Sequence, residues 1–136
     1  MRQSILLIAI MLISMSSCNE NPVDNKKENR SPEILSLVVF PEIVNPSDSL
    51  IVICNATDPD GDSLFYDWYA DGIIKIKGGR PGLPVLFNTD ENSRIFFAPD
   101  SKYVSAPQDT FSIECAVRDG IGGQISERIK FIVKQE

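Results

Sequence analysis

The acidic turn in "CNATDPDGDSLFYDW", residues 54–68, sets three carboxylates, Asp58, Asp60 and Asp62, at alternate positions. Three carboxylates in one loop suit a hard cation such as calcium. The spacing is not that of an EF-hand, because Gly61 falls between Asp60 and Asp62 and no glutamate follows at the closing position. The same residues are also ordinary turn chemistry, in which proline fixes φ and aspartate side chains bond nearby amides. A structural turn is the first reading of the stretch and a weak calcium site the second. No other cofactor is implied.

Catalysis fits poorly. The chain has no histidine, which removes the usual general base, the commonest zinc ligand, and both Ser-His-Asp and Cys-His arrangements. Paired carboxylates can serve a glycosidase, but those present sit in turns rather than in an evident cleft. The chain reads as non-enzymatic. Its formal charge of −6 argues against nucleic acid as a partner.

The remaining reactive residues are three cysteines, at 18, 54 and 115. Arg2, the apolar run Ile5 to Ile13, and the small residues Ser14, Ser16 and Ser17 read as an export signal over 1–17, too short in its apolar part to span a bilayer. The run "ISMSSC" resembles the lipobox of bacterial lipoproteins. That resemblance implies that Cys18 carries lipid such as palmitate and holds the mature chain at a membrane of the cell envelope, in an extracytoplasmic, oxidation-permissive setting. Residues 18–32 are polar and read as a lipid-anchored flexible linker with a typical reach of about 20 Å.

From residue 33 to 134 the pattern is that of one all-β domain: short alternating segments between Gly, Pro, Asn and Asp clusters. Strands are predicted over 33–40, 49–57, 63–70, 73–77, 93–98, 109–118 and 124–134, with a short extra one near 84–87. Alternation places Leu50, Val52, Cys54 and Ala56 on one side of their strand. It does the same for Leu64, Tyr66 and Trp68; for Phe111, Ile113, Cys115 and Val117; and for Ile125, Ile129, Phe131 and Val133. These four sets make the predicted core. Asp71-Gly72 predicts a hairpin between "FYDWYA" and "IIKIK". Lys75 and Lys77 read as charges that blunt an edge strand.

The segments "ATDPDGDSLFYDW", "GGRPG" and "DTFSIECAVRDGIGGQISERIKFIV" resemble the immunoglobulin-like sandwich domains of the polycystic kidney disease (PKD) type and their cadherin-like relatives. The resemblance implies an antiparallel immunoglobulin-like β-sandwich of about seven strands. The acidic turn then joins strands B and C, and "RDGIGG" is the F–G loop. It places Cys54 on strand B, Cys115 on strand F and Trp68 on strand C, the order in which immunoglobulin domains carry an inter-sheet disulfide. The other reading of the pair is two buried reduced thiols.

The same topology brings Asp119 to the end that holds Asp58, Asp60 and Asp62, with Glu33 in reach, so the candidate calcium ligands become four or five. It also makes strands C, F and G neighbours. Their outward residues, Phe65, Asp67 and Tyr69, Glu114 and Arg118, and Arg128 and Lys130, then form one face suited to a protein or glycan partner. In the long 78–92 connection, Arg80, Leu83 and Phe87 are either contacts or cover for the core. The function implied is an interaction, adhesion or scaffolding lipoprotein. The alternative is a carbohydrate- or calcium-binding accessory protein. Nothing in the sequence sets an oligomeric state.

Overall fold

A computed structural model describes residues 27–80 and 83–135; the signal, Cys18 and most of the linker lie outside the described residues. Among the described residues nine strands follow one another: β1 Glu33–Phe40, β2 Ile43–Val44, β3 Ser49–Thr57, β4 Phe65–Ala70, β5 Lys75–Ile76, β6 Val85–Thr89, β7 Ser93–Phe97, β8 Gln108–Arg118 and β9 Gln124–Lys134. They make two sheets, ordered β1-β3-β7-β5 and β2-β9-β8-β4-β6. All ladders are antiparallel except the short pairing of β2 with β9. The fold is a β-sandwich of the predicted kind: β6 is the short extra strand expected near 84–87, and β2 is an addition to the strands predicted.

The period of two fixes the core. Val52 and Cys54 from β3, Trp68 from β4, Phe96 from β7, Ile113, Cys115 and Val117 from β8, and Phe131 and Val133 from β9 are completely or almost completely buried between the sheets. Removing each large apolar side chain from water contributes about 1.5–3 kcal/mol. Trp68 sits at the centre, edge-on to Phe96 with ring centroids 5.9 Å apart and stacked on Tyr66 at 6.5 Å. Ile125 departs from its predicted inward place and is exposed. β2 covers only the Ile132–Val133 end of β9, which leaves Gln124–Arg128 as a free edge.

The Asp71-Gly72 hairpin does not form. β4 and β5 lie in different sheets, and the partner on that side of β4 is β6, with Trp68 opposite Leu86. Two effects redirect the chain. The Asp71 carboxylate accepts the Ser112 amide at 2.7 Å, which ties the turn back to β8. Ile74 and Ile76 are then buried in the core, so "IIKIK" crosses over to the far sheet instead of folding back on β4. There Lys75 lies on an edge strand, in the blunting position predicted for it.

Candidate functional site

At the β3–β4 corner, Asp58 Oδ1 accepts the amides of Asp60 and Asp62 at 2.7 and 3.2 Å, and Gly61 takes φ of +81°. This is the turn chemistry of the first reading. The fold also gathers carboxylate oxygens of Asp58, Asp60 and Asp62 within 4.8 Å of one another, and Asp58 Oδ2 is buried with no hydrogen-bond partner among the described residues.

The cation beside Asp60 comes from the chain itself. Arg30 donates to Asp60 Oδ1 from Nε at 3.0 Å and from Nη2 at 2.8 Å, and its backbone amide donates to Oδ2 at 2.8 Å. Arg30 Nη2 also donates to the Pro59 carbonyl. Lys27 Nζ lies 2.8 Å from the same Oδ1. Lys27 first, then Arg30, hold the Asp60 carboxyl well below the usual carboxylate range.

Asp119 does not join the trio. Its Oδ1 accepts the amides of Ile121, Gly122 and Gly123 at 2.8, 3.0 and 2.9 Å, and its Oδ2 accepts Gly123 N at 3.0 Å and Asn29 Nδ2 at 2.7 Å. These donors, Asn29 foremost, hold Asp119 below its ordinary range against the opposing effect of burial. The residue organises the β8–β9 loop and clamps the incoming chain. Pro32 is fully buried there as well. The last residues of the predicted 18–32 linker are therefore docked on the domain.

The predicted β4–β8–β9 face assembles in register: Phe65 opposite Arg118, Tyr69 opposite Glu114, Glu114 opposite Arg128, and Ser112 opposite Lys130. Its charges are largely spent on one another. Arg118 grips Asp67 with Nε to Oδ2 at 2.7 Å and Nη2 to Oδ1 at 3.0 Å, and Arg128 meets Glu114 at 2.7 Å. Asp67 is buried rather than open, because Arg118 and the Asn88 amide, 2.6 Å from Oδ1, close over it. Burial works to raise the Asp67 carboxyl, and the guanidinium and that amide overcome it, so Asp67 stays below its ordinary range. Phe65 and Tyr69 are half-buried and Lys130 is exposed. Phe87, from the long connection, meets the Tyr69 ring edge-on at 5.5 Å.

A second face was not singled out by sequence reasoning. Outward positions of the four-stranded sheet carry Val38 and Phe40 on β1, Ile51 and Ile53 on β3, and Ile95 and Phe97 on β7. Register makes Phe40, Ile51 and Ile95 one continuous row, with Val38 and Ile53 beside it. Phe40 is 74% exposed and Val38 46%. The signal was present in "LVVF" and "LIVIC", whose unbroken apolar runs mean that both faces of a strand are apolar.

Cys54 and Cys115 are fully buried and in contact across the two sheets, without a bond between them in this structure. Trp68 is the direct ladder neighbour of Cys115. Contact with Cys54, together with burial, pushes the Cys115 thiol far up.

No family model matches the chain, and no curated protein matches it. Among solved structures it is similar to a chain from work on the promiscuous specificity of carbohydrate-binding modules of the β-sandwich superfamily. That match has a TM-score of 0.56 at 17% identity, over 79% of this chain and 36% of that one. This chain thus spans about a third of the length of that structure. A conjugative transposon lipoprotein from Bacteroides eggerthii matches with a TM-score of 0.45 at 15% identity, over 74% of this chain and 94% of that one. The first likeness supports the β-sandwich architecture.

Proposed function

We propose that this chain is a non-enzymatic, lipid-anchored interaction module of the bacterial cell envelope, and that it holds a protein partner on the outer face of its four-stranded sheet. The observation that carries the reading is the contiguous set Val38, Phe40, Ile51, Ile53, Ile95 and Phe97 on the outer side of three adjacent strands, with Val38 and Phe40 exposed and the other four half-buried. Contiguous apolar patches on a sandwich surface mark contacts with other molecules. The opposite face is a weaker candidate for protein, since Arg118 with Asp67 and Arg128 with Glu114 already satisfy its charges. The anchor in this reading is Cys18, on the strength of "ISMSSC". The likeness to PKD-type and cadherin-like sandwiches belongs to the same reading.

The test is site-specific photocrosslinking in intact cells. A photoreactive residue at position 40 is expected to capture an envelope protein, and one at position 130 is not. Equal capture from both positions would sink the assignment of the face. Labelling with an alkyne fatty acid tests the anchor separately; it is expected in the native chain and absent in Cys18→Ser.

A glycan-binding alternative is supported by one feature, the Tyr69–Phe87 ring pair beside a shallow depression that Ser112, Glu114 and Arg128 help to line. The depression holds about 60 Å³. That is small against the ~300–1,000 Å³ of enclosed ligand sites. Glycan retention in affinity electrophoresis that Tyr69→Ala abolishes would favour this alternative.

A further inference from the structure

The crossover that replaces the expected hairpin creates a cavity of about 430 Å³ at the other end of β4 from the acidic corner. Its base is the buried pair Ile74 and Ile76. Its walls carry Ile73, Leu83 and Tyr103, and Leu83 and Tyr103 are each 49% exposed. Three charged residues stand around it: Lys75, Arg80 and Asp100. Asp100 is committed, with Oδ1 accepting Ser47 Oγ at 2.9 Å and lying 3.9 Å from Lys75 Nζ. Arg80 forms no ion pair among the described residues. Next to the cavity, Lys102 sets its ammonium 4.8 Å above the Tyr103 ring. On a chain of net charge −6, this is a local excess of cations over an aliphatic base.

Those features select a ligand class. A planar guanidinium with no ion pair among the described residues matches a carboxylate, which it can bind through two parallel hydrogen bonds. The aliphatic base of Ile74, Ile76 and Leu83 favours an apolar side chain, and a sugar could find partners for its hydroxyls only at the rim, from Lys75, Arg80, Asp100 and Tyr103. The volume falls at the lower end of small-ligand sites. We propose that this cavity takes the end of a peptide, with Arg80 and Lys75 on its C-terminal carboxylate and its last, apolar side chain against Ile74, Ile76 and Leu83. The cavity adjoins one edge of the apolar face, since Lys75 pairs with Phe97; Arg80 lies outside that face, so a loss at Arg80 and a loss at position 40 distinguish the two assignments.

The experiment is an NMR titration of the full chain in detergent with three probes: N-acetyl-glycyl-leucine as the free acid, the same peptide as its C-terminal amide, and digalacturonate. The free acid is expected to shift the amide signals of Ile73, Lys75 and Arg80 saturably, and the amide to bind at least about tenfold more weakly. Arg80→Ala should weaken the free acid by a similar factor with the melting midpoint unchanged. Arg80→Lys should recover part of the loss. Equal binding of acid and amide, tighter binding of digalacturonate, no saturable shift, or an unaffected Arg80→Ala chain would each overturn the proposal.

Discussion

Arg30 and Asp60, thirty residues apart, are joined by two guanidinium hydrogen bonds and one from the Arg30 amide. The clasp ties the approach to β1 onto the β3–β4 corner, so the chain reaches the domain from that end. Its side chains are largely open to water on the Arg30 side, and an exposed pair adds little to global stability. Asp60→Asn is therefore expected to leave the melting midpoint nearly unchanged while trypsin cuts after Arg30 several-fold faster. Equal cutting of native and variant chains would show that the clasp does not restrain the segment.

The same clasp bears on calcium. With Lys27 and Arg30 on Asp60, and Asp58 Oδ1 spent on two amides, a metal ion would have to displace the chain's own cations. Calcium at about 0.1–1 mM, the range for weak extracellular sites, is expected to leave the native midpoint unchanged. In a Lys27→Ala, Arg30→Ala chain the three carboxylates are released from that competition, and calcium is expected to raise the midpoint. A rise of equal size in both chains would show that the clasp and the ion do not compete.

Local forces leave a pattern in the sequence, and contacts between distant residues do not. β1, β3 and β9 have the bounds predicted for them because each is a long segment bracketed by turn residues. Trp68 and Cys115 could be placed inward because their neighbours in sequence are polar or aromatic enough for alternation to show. Asp71-Gly72 was misread because its turn chemistry serves a hairpin and a crossover equally. What decides between them is the burial of Ile74 and Ile76 against a distant sheet. β2, with two residues, has no period to read. The Val38–Phe40 face went unseen because unbroken apolar runs carry no alternation. Arg30 and Asn29 looked like any residues of a polar linker, since their carboxylate partners lie 30 and 90 residues away. Asp119 could have been recognised as a loop organiser from the glycines that follow it, Gly120, Gly122 and Gly123, which let several amides converge on one carboxylate.

Cys54 and Cys115 lie against each other in the core, and an exported chain would meet oxidising conditions. We therefore expect a disulfide in the mature protein. Closing a loop of about sixty residues stabilises a fold by roughly 4 kcal/mol in the chain-entropy model. Protein isolated from the envelope, then denatured without reductant, should resist alkylation at both cysteines, and reduction should lower its melting midpoint. Alkylation of both sulfurs before reduction would leave them as two small buried hydrophobes.

Asp119 provides a test by pH. Its carboxyl titrates below the ordinary range in the folded chain, held there by Asn29 and by the amides of Ile121, Gly123 and Gly122. A group whose folded pKa is depressed contributes stability that is fully present above the unfolded value, about 3.9 for aspartate, and is lost as pH falls through the folded pKa. Asp119→Asn replaces one of the accepting oxygens with a donor that points at the same amides. It should lower the midpoint at neutral pH, and the gap to the native chain should narrow as pH falls below about 4. Gly123→Ala supplies a comparison that does not titrate: a Cβ there would lie 2.1 Å from Asp119 Oδ2 and 2.9 Å from Ser31 Cα, so the carboxylate or the docked segment has to move. Its loss of stability should appear at neutral pH together with faster trypsin cutting after Arg30. If the gap between Asp119→Asn and the native chain stays constant from neutral pH down to about 2, the carboxylate charge is not what holds this end of the molecule together.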